Sequence, residues 1–424
     1  MNTSPVSLAD WLARLERLHP LAIELGLARV RRVADVLNLE PAFPIVIVGG
    51  TNGKGSTCAI LEAILTAAGY RTGLYTSPHL LRYNERVRIA GREATDEELV
   101  AAFERVEAAR GDTSLTYFEF GTLGAMVQFM SSGIDVAILE VGLGGRLDAV
   151  NLWDADAAIV TSVDLDHQDY LGDTREAIGF EKAGIFRAGR AAICADPVPP
   201  ASLSEHAHAI GADLFCYGRH FLAQRTHGTW TYRGLGETLA DLPLPAMAGA
   251  YQLRNAAAAL AALESLRARL PVGGAAIQAG LVEARVPGRF QVLAHAPELI
   301  VDVAHNPEAA RALAATLAER PAVGRTLAVV GMLADKDAAG VFDALKDSFA
   351  AWWTCTPDSP RACPSATLAG ILRTRLPGAV VAAEASPAAA LAAARSAASE
   401  GDRIVAFGSF TTVAAVLDHA ATQQ

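Results

Sequence analysis

The sequence predicts an α/β protein built from two doubly wound parallel-sheet units, a larger one followed by a smaller, and three observations carry that expectation. An apolar β-like run, Ile45-Val-Ile-Val-Gly49, stops in Gly50-Thr-Asn-Gly-Lys-Gly-Ser56 and passes directly into a helical pattern. Short apolar runs then alternate with helical stretches, several of the runs ending in a polar side chain. At Val286-Pro-Gly-Arg-Phe-Gln291 the alternation breaks, and beyond it the alternation restarts, so the boundary is placed between 1–287 and 288–424. With 424 residues and 51% hydrophobic composition, the chain is long enough to bury more than one core.

Taken in order, Leu8 to Leu18 has helical periodicity with interleaved charges, which is not a basic-then-apolar signal segment. Leu25 to Leu37 reads as a second amphipathic helix, handed through Pro41 and Pro44 to the first strand. The glycines after that strand let the backbone close around an anion, and the amides opening the next helix point at it. Lys54 would reach the β- and γ-phosphates of a nucleotide, with Ser56 or Thr57 near its metal. The strict pattern G-x-x-x-x-G-K-[ST] is not met, because Val48 stands at its first glycine and Gly55 separates Lys54 from Ser56.

A short strand precedes Thr76-Ser-Pro-His-Leu80; lying beside the first strand in a parallel sheet, it would bring Ser77 to the same carboxyl edge as Lys54. Thr95-Asp-Glu-Glu98 is a helix start, and Ser114 to Leu123 is an aromatic entry to a core helix with Glu119 in its midst. Ile134 to Glu140 is a strand ending in a carboxylate before a glycine-rich turn, a place where nucleotide triphosphatases hold Mg²⁺. Ala157 to Val163 is another strand and runs into Asp164-Leu-Asp-His167. In the helix opened by Thr174, Glu181 and Lys182 read most simply as a solvent-facing pair. Residues 191–242 suggest further sheet with little functional signal, and Met247 to Asn255 leads into an Ala/Leu helix. In the second unit, runs at Glu298–Asp302, Thr326–Leu333, Ala350–Cys355, Val380–Ala383 and Arg403–Ser409 read as strands separated by helices.

A formal charge of −10 argues against a nucleic-acid or membrane-surface binder, and no apolar run reaches the ~18 residues of a membrane span. Five cysteines without C-x-x-C spacing suggest reduced thiols in a cytoplasmic enzyme.

With these residues in hand, the chain resembles the folylpolyglutamate synthase and dihydrofolate synthase family of the Mur ligase superfamily, particularly its bacterial bifunctional form. The resemblance is carried in order by Trp11-Leu-Ala-Arg-Leu-Glu-Arg-Leu-His-Pro20, Gly50 to Ser56, Thr76 to Leu80, Leu139-Glu-Val-Gly-Leu-Gly-Gly-Arg-Leu-Asp-Ala149, Asp166-His-Gln-Asp-Tyr-Leu-Gly172, Glu181-Lys-Ala-Gly-Ile185, Pro287-Gly-Arg-Phe290 and Asp302-Val-Ala-His-Asn-Pro307. It implies a P-loop-containing ATPase domain followed by a smaller Rossmann-like domain. The implied activity is ATP-dependent addition of L-glutamate to dihydropteroate and to reduced folates. The shortened loop is the form expected of such proteins.

By the same resemblance, Asn52, Gly53, Lys54, Gly55 and Ser56 bind ATP together with Asn255, Arg289 and Asp302. Ser77, Glu140 and His167 coordinate magnesium, as two ions, and Lys182 is carried as an N6-carbamate. Thr116, Tyr117, Phe118 and Glu119, with Leu147, Asp148 and Ala149, form the dihydropteroate pocket. His305 falls close to the reacting groups, beside Lys54 and Lys182 as a catalytic candidate. The implied partners are small molecules, and the implied state is a monomer. A cell-wall Mur ligase would need a UDP-sugar-binding domain, and little room for one precedes Ile45. The alternative from another class is a nucleotide-controlled interaction protein.

Overall fold

The computed structural model describes residues 7–421. Its chain divides into two compact units, one of residues 1–246 with 253–285 and the other of 247–252 with 286–424. The helix Tyr251–Ser265 begins in the second and continues into the first.

In the first unit an eight-stranded sheet is formed by β1 (Ile45–Gly49), β2 (Thr72–Tyr75), β3 (Val87–Ile89), β4 (Arg92–Glu93), β5 (Val136–Glu140), β6 (Ala157–Val160), β7 (Ala191–Cys194) and β8 (Asp213–Cys216). Their order is β4-β3-β2-β5-β1-β6-β7-β8. Six of these strands run parallel, and β3 and β4 add an antiparallel margin beside β2. The strand at Thr72 is therefore not the direct neighbour of β1, because β5 lies between them. β1, β5 and β6 are buried at every position, which explains why they read as unbroken apolar runs rather than alternating ones. In the core, Trp11 lies 6.0 Å from the rings of both Phe103 and Phe120. The polar segment after β8 forms its own antiparallel sheet, β9 (Leu222–Arg225), β10 (Thr229–Arg233) and β11 (Thr238–Pro243).

The second unit holds β12 (Gln291–His295), β13 (Glu298–Asp302), β14 (Thr326–Val330), β15 (Ala351–Cys355), β16 (Val380–Glu384) and β17 (Arg403–Phe407) in the order β12-β13-β17-β14-β15-β16. All pairs are parallel except β12 with β13. Both main sheets are thus parallel, as the sequence predicts, with antiparallel strands added at one edge. The second core centres on Trp352, with Phe349 at 4.8 Å and Phe342 at 5.7 Å.

Candidate active site

β1 delivers the chain to the glycine loop, and the helix Lys54–Ala67 leaves it with Gly53 as N-cap at φ +90°. A β-carbon at Gly53 would lie 2.7 Å from Oδ1 of Asn255, and one at Gly50, also at positive φ, would lie 1.9 Å from Oγ1 of Thr161. Both positions therefore require glycine for space as well as for conformation. Lys54 Nζ donates to the carbonyls of Gly50 at 3.1 Å and Thr51 at 3.3 Å, so the ammonium is folded over the loop.

The loop rests on the segment after β6. Thr51 N donates to Ser162 O at 2.8 Å, Asn52 N to Ser162 Oγ at 3.0 Å, and Thr161 Oγ1 to Asn52 O at 2.6 Å. Thr51 Oγ1 accepts from Asp164 N at 3.0 Å and donates to Asp164 O at 3.1 Å.

Glu140, at the carboxyl end of β5, is 5% exposed. Its Oε2 accepts from the Ser77 amide at 3.2 Å, and a β-carbon on Gly55 would meet both carboxylate oxygens at 3.8 Å. The structure thus brings Ser77, Glu140 and the phosphate loop together at one sheet edge. His167 stands apart from this arrangement in form: exposed, at φ +52°, it caps the short helix Gln168–Leu171, with Nε2 4.0 Å from Asp166 Oδ1. Among the described residues no group of three or more His, Cys, Asp or Glu side chains forms a metal cage. One buried carboxylate and a neighbouring serine suit Mg²⁺, which favours oxygen ligands and commonly keeps phosphate and water in its coordination shell.

Lys182 is not the solvent-facing partner that its sequence context suggested. It is 4% exposed near the end of the helix Arg175–Ala183, while Glu181 pairs with Arg146 at 2.8 Å. A buried lysine is uncommon without a compensating group.

Thr116 N-caps the helix Tyr117–Ser132 in a reciprocal capping box with Glu119. Glu119 Oε2 accepts from Thr116 N at 2.7 Å, and its Oε1 pairs with Arg29 at 2.9 Å. Phe118 lies 5.8 Å from Tyr75, and a β-carbon on Gly142 would approach its ring to 2.7 Å. Asp148 is buried, accepting from Leu143 N at 2.8 Å and Val150 N at 3.0 Å. Burial pushes its carboxyl up to about 7 despite those bonds and the charge of Lys54. Leu147 O accepts from Gly26 N at 3.3 Å, and Ala149 opens a short 3-10 turn.

In the second unit, Asp302 ends β13, accepting from Phe290 N and Ala304 N at 2.8 Å each. Burial raises its carboxyl above the ordinary range, opposed by nearby Arg289. The Arg289 guanidinium stands 5.4 Å from the Phe410 ring, which lies 6.1 Å from His305. His305 Nδ1 lies 2.8 Å from Val303 O.

Two family descriptions match the chain: "Mur ligase middle domain" over residues 48–263 and "Mur ligase, glutamate ligase domain" over 288–410. The dihydrofolate synthase/folylpolyglutamate synthase of Escherichia coli (strain K12) is 49% identical over 84% of this chain and 83% of its own length. The chain belongs to this family of Mur ligases. A structure of E. coli FolC in complex with DHPP and ADP superposes with TM-score 0.94 at 44% identity, covering 100% of both chains. A bifunctional folylpolyglutamate synthase/dihydrofolate synthase with Mn, AMPPNP and L-glutamate bound superposes with TM-score 0.90 at 46% identity, again over 100% of both chains.

Two features of this family member escaped the sequence reading. The first is the buttress Thr161-Ser-Val-Asp164, whose signal was a polar run at the end of β6. The second is a cavity of about 320 Å³ beside Tyr117, lined also by Glu16, His19, His79 and Arg86. Arg86 Nε donates to His79 Nδ1 at 2.8 Å, and the guanidinium carbon lies 5.4 Å from the centre of the Tyr117 ring. Burial, and then the Arg86 charge, hold the His79 imidazole down to about 4, so it is a neutral acceptor at pH 7. In the sequence His79 stood only as part of the motif Thr76 to Leu80, with no role of its own.

Proposed function

We propose that this ligase joins L-glutamate to dihydropteroate, giving dihydrofolate, and to reduced folates, giving polyglutamates, while ATP becomes ADP and phosphate. The observation that carries the reading is Glu140, a buried carboxylate beside the Gly50–Ser56 loop and under the Ser77 amide. The relatives that bind ADP, AMPPNP, DHPP and glutamate support it.

A substrate carboxylate oxygen attacks the γ-phosphorus, the bond to ADP breaks, and an acyl phosphate forms. The glutamate amine then attacks the acyl carbon, the carbon–oxygen bond to phosphate breaks, and the amine proton is lost. In the first step Lys54 exchanges its two loop carbonyls for phosphate oxygens, while the amides of Asn52 to Ser56 cradle the triphosphate. Asn255 sits against Gly53 and fixes the loop from the side. Arg289 and Asp302 are assigned to the nucleotide and His305 to the neighbourhood of the reacting groups. Ser77, Glu140 and His167 would hold Mg²⁺, two ions in this reading. When bound, the metal neutralises charge between the carboxylate and the γ-phosphate.

Lys182 as an N6-carbamate, formed from its neutral amine and CO₂ with loss of a proton, turns a buried cation into an anion. Thr116 to Glu119 and Leu147 to Ala149 are assigned to the pteroate pocket. Of these, Phe118 has the ring for the substrate's face, while Glu119 and Asp148 position the backbone around it. In domain terms, 1–287 carries ATP and pteroate binding and 288–424 the glutamate-ligase part. Five free cysteines fit a reducing cytoplasm, and the working form is a monomer. Among the described residues no helix is long and apolar enough to cross a membrane.

The deciding assay is phosphate release with ATP, Mg²⁺, L-glutamate and dihydropteroate. Release is expected only with all four present, and release indifferent to dihydropteroate removes the synthase half. Tetrahydrofolate in its place tests chain extension, and light scattering tests the monomer.

A further inference from the structure

Cys194 and Cys216 take no part in the ligase chemistry. They close β7 and β8, and the parallel register makes them direct Cα partners. Neighbouring strands lie about 4.8 Å apart, and side chains at paired positions point to the same side. That spacing falls within the roughly 4.4–6.8 Å between α-carbons that a disulfide spans. Both thiols are free in this structure, side by side at the ends of neighbouring strands.

The two sulfurs differ in access. Cys194 is fully buried, whereas Cys216 is only partly so, on the last strand of the sheet. They also differ in proton affinity. The neighbouring Cys194 thiol, and then the Arg219 charge, draw Cys216 below the ordinary thiol range, while Cys194 is held above it. Burial instead raises the thiols of Cys58, Cys355 and Cys363, so Cys216 alone combines access with thiolate character.

We propose that Cys194 and Cys216 form a dithiol modification site that takes hydrogen peroxide as co-substrate and closes to an intramolecular disulfide. The Cys216 sulfur attacks one peroxide oxygen, the O–O bond breaks, and the leaving hydroxide takes a proton to become water. The resulting sulfenic acid is attacked by the Cys194 sulfur. The sulfur–sulfur bond forms, the sulfur–oxygen bond breaks, and a second water leaves with the Cys194 proton. Two thiols lose two electrons together and the peroxide gains them.

The test exposes the reduced full chain to a modest excess of hydrogen peroxide, alkylates it in denaturant, and reads intact mass and peptides. Of the five cysteines, two are expected to become inaccessible to alkylation and to return with dithiothreitol, and one cross-linked peptide should join Cys194 to Cys216. In Cys194→Ser, Cys216 should stall as a sulfenic acid that dimedone labels, whereas Cys216→Ser should lose the peroxide response. Five alkylatable thiols after a dose that oxidises free cysteine overturns the proposal. So does oxidation confined to Cys58, Cys355 or Cys363. The wild-type peptide map decides even where a serine variant does not fold.

Discussion

Asp148 holds the amides of Leu143 and Val150 with its two carboxylate oxygens, yet burial keeps its carboxyl near 7. Because the folded value lies above the unfolded one, its stabilising contribution is complete below pH ~4 and is lost as pH rises through ~7. At about 1.4 kcal/mol per pH unit the swing is on the order of 4 kcal/mol. The denaturant midpoint of wild type should therefore fall between pH 4 and 7 relative to that of Asp148→Asn; parallel profiles would refute the assignment. The amide variant should itself be weaker by roughly 1–3 kcal/mol, because its nitrogen cannot accept the second N–H. Lys182 supports a second expectation. Lys182→Ala should lower turnover by at least about 100-fold, the upper range for displaced metal-site partners, and a short-chain carboxylate should restore part of it. Full activity in Lys182→Arg would exclude the carbamate. Neither property was visible locally: burial of Asp148 and Lys182 is decided by chain segments far away in sequence.

At the level of elements, the helix Lys54–Ala67 begins at a glycine that nothing larger replaces. Gly53→Ala places a β-carbon into Asn255 at a positive φ, a strain of roughly 1–2 kcal/mol before the clash is counted. Nucleotide affinity is expected to drop more than tenfold with the helix content unchanged by circular dichroism; unaltered ATP binding would mean that the loop does not hold phosphate. The next element, Tyr117–Ser132, shows how one set of residues supports two readings. Resemblance assigned Thr116 and Glu119 to the pteroate pocket, and in the structure the carboxylate is occupied by the cap and by Arg29. Glu119→Ala should thus cost about 2 kcal/mol of stability through the lost cap and the lost bond to Arg29, which keeps its bonds to Glu24, in addition to any rise in KM for dihydropteroate. A KM effect with unchanged stability would restore direct contact as its main role. The apolar runs β1, β5 and β6 were legible because parallel strands covered on both faces are continuous in hydrophobicity. Strand order was not: the placement of β5 between β1 and β2 depends on non-local pairing. The edge strand β12 was also missed, because Gln291–His295 follows a turn and alternates too weakly to announce itself.

Across the whole molecule, the restart of the α/β alternation after Val286 made a second folding unit legible. The assignment of residues 247–252 to that unit was hidden, since a continuous helical pattern runs through Tyr251 and Gln252 into the other unit. This organisation also provides separate optical reporters. Trp11, Trp153 and Trp230 belong to the first unit, and Trp352 and Trp353 to the second. A Trp352→Phe/Trp353→Phe variant therefore reports the first unit alone. If the Gly50–Ser56 loop is the nucleotide site, Mg²⁺-AMPPNP at 100 times its Kd should stabilise that fluorescence transition by about 2.7 kcal/mol through mass action on the folded state. Lys54→Ala and Glu140→Ala should each reduce the shift at the same nucleotide concentration, and chelating the metal should reduce it in the parent variant but little further in Glu140→Ala. An equal shift in all three proteins would place the nucleotide away from the loop, whatever the activity assay showed.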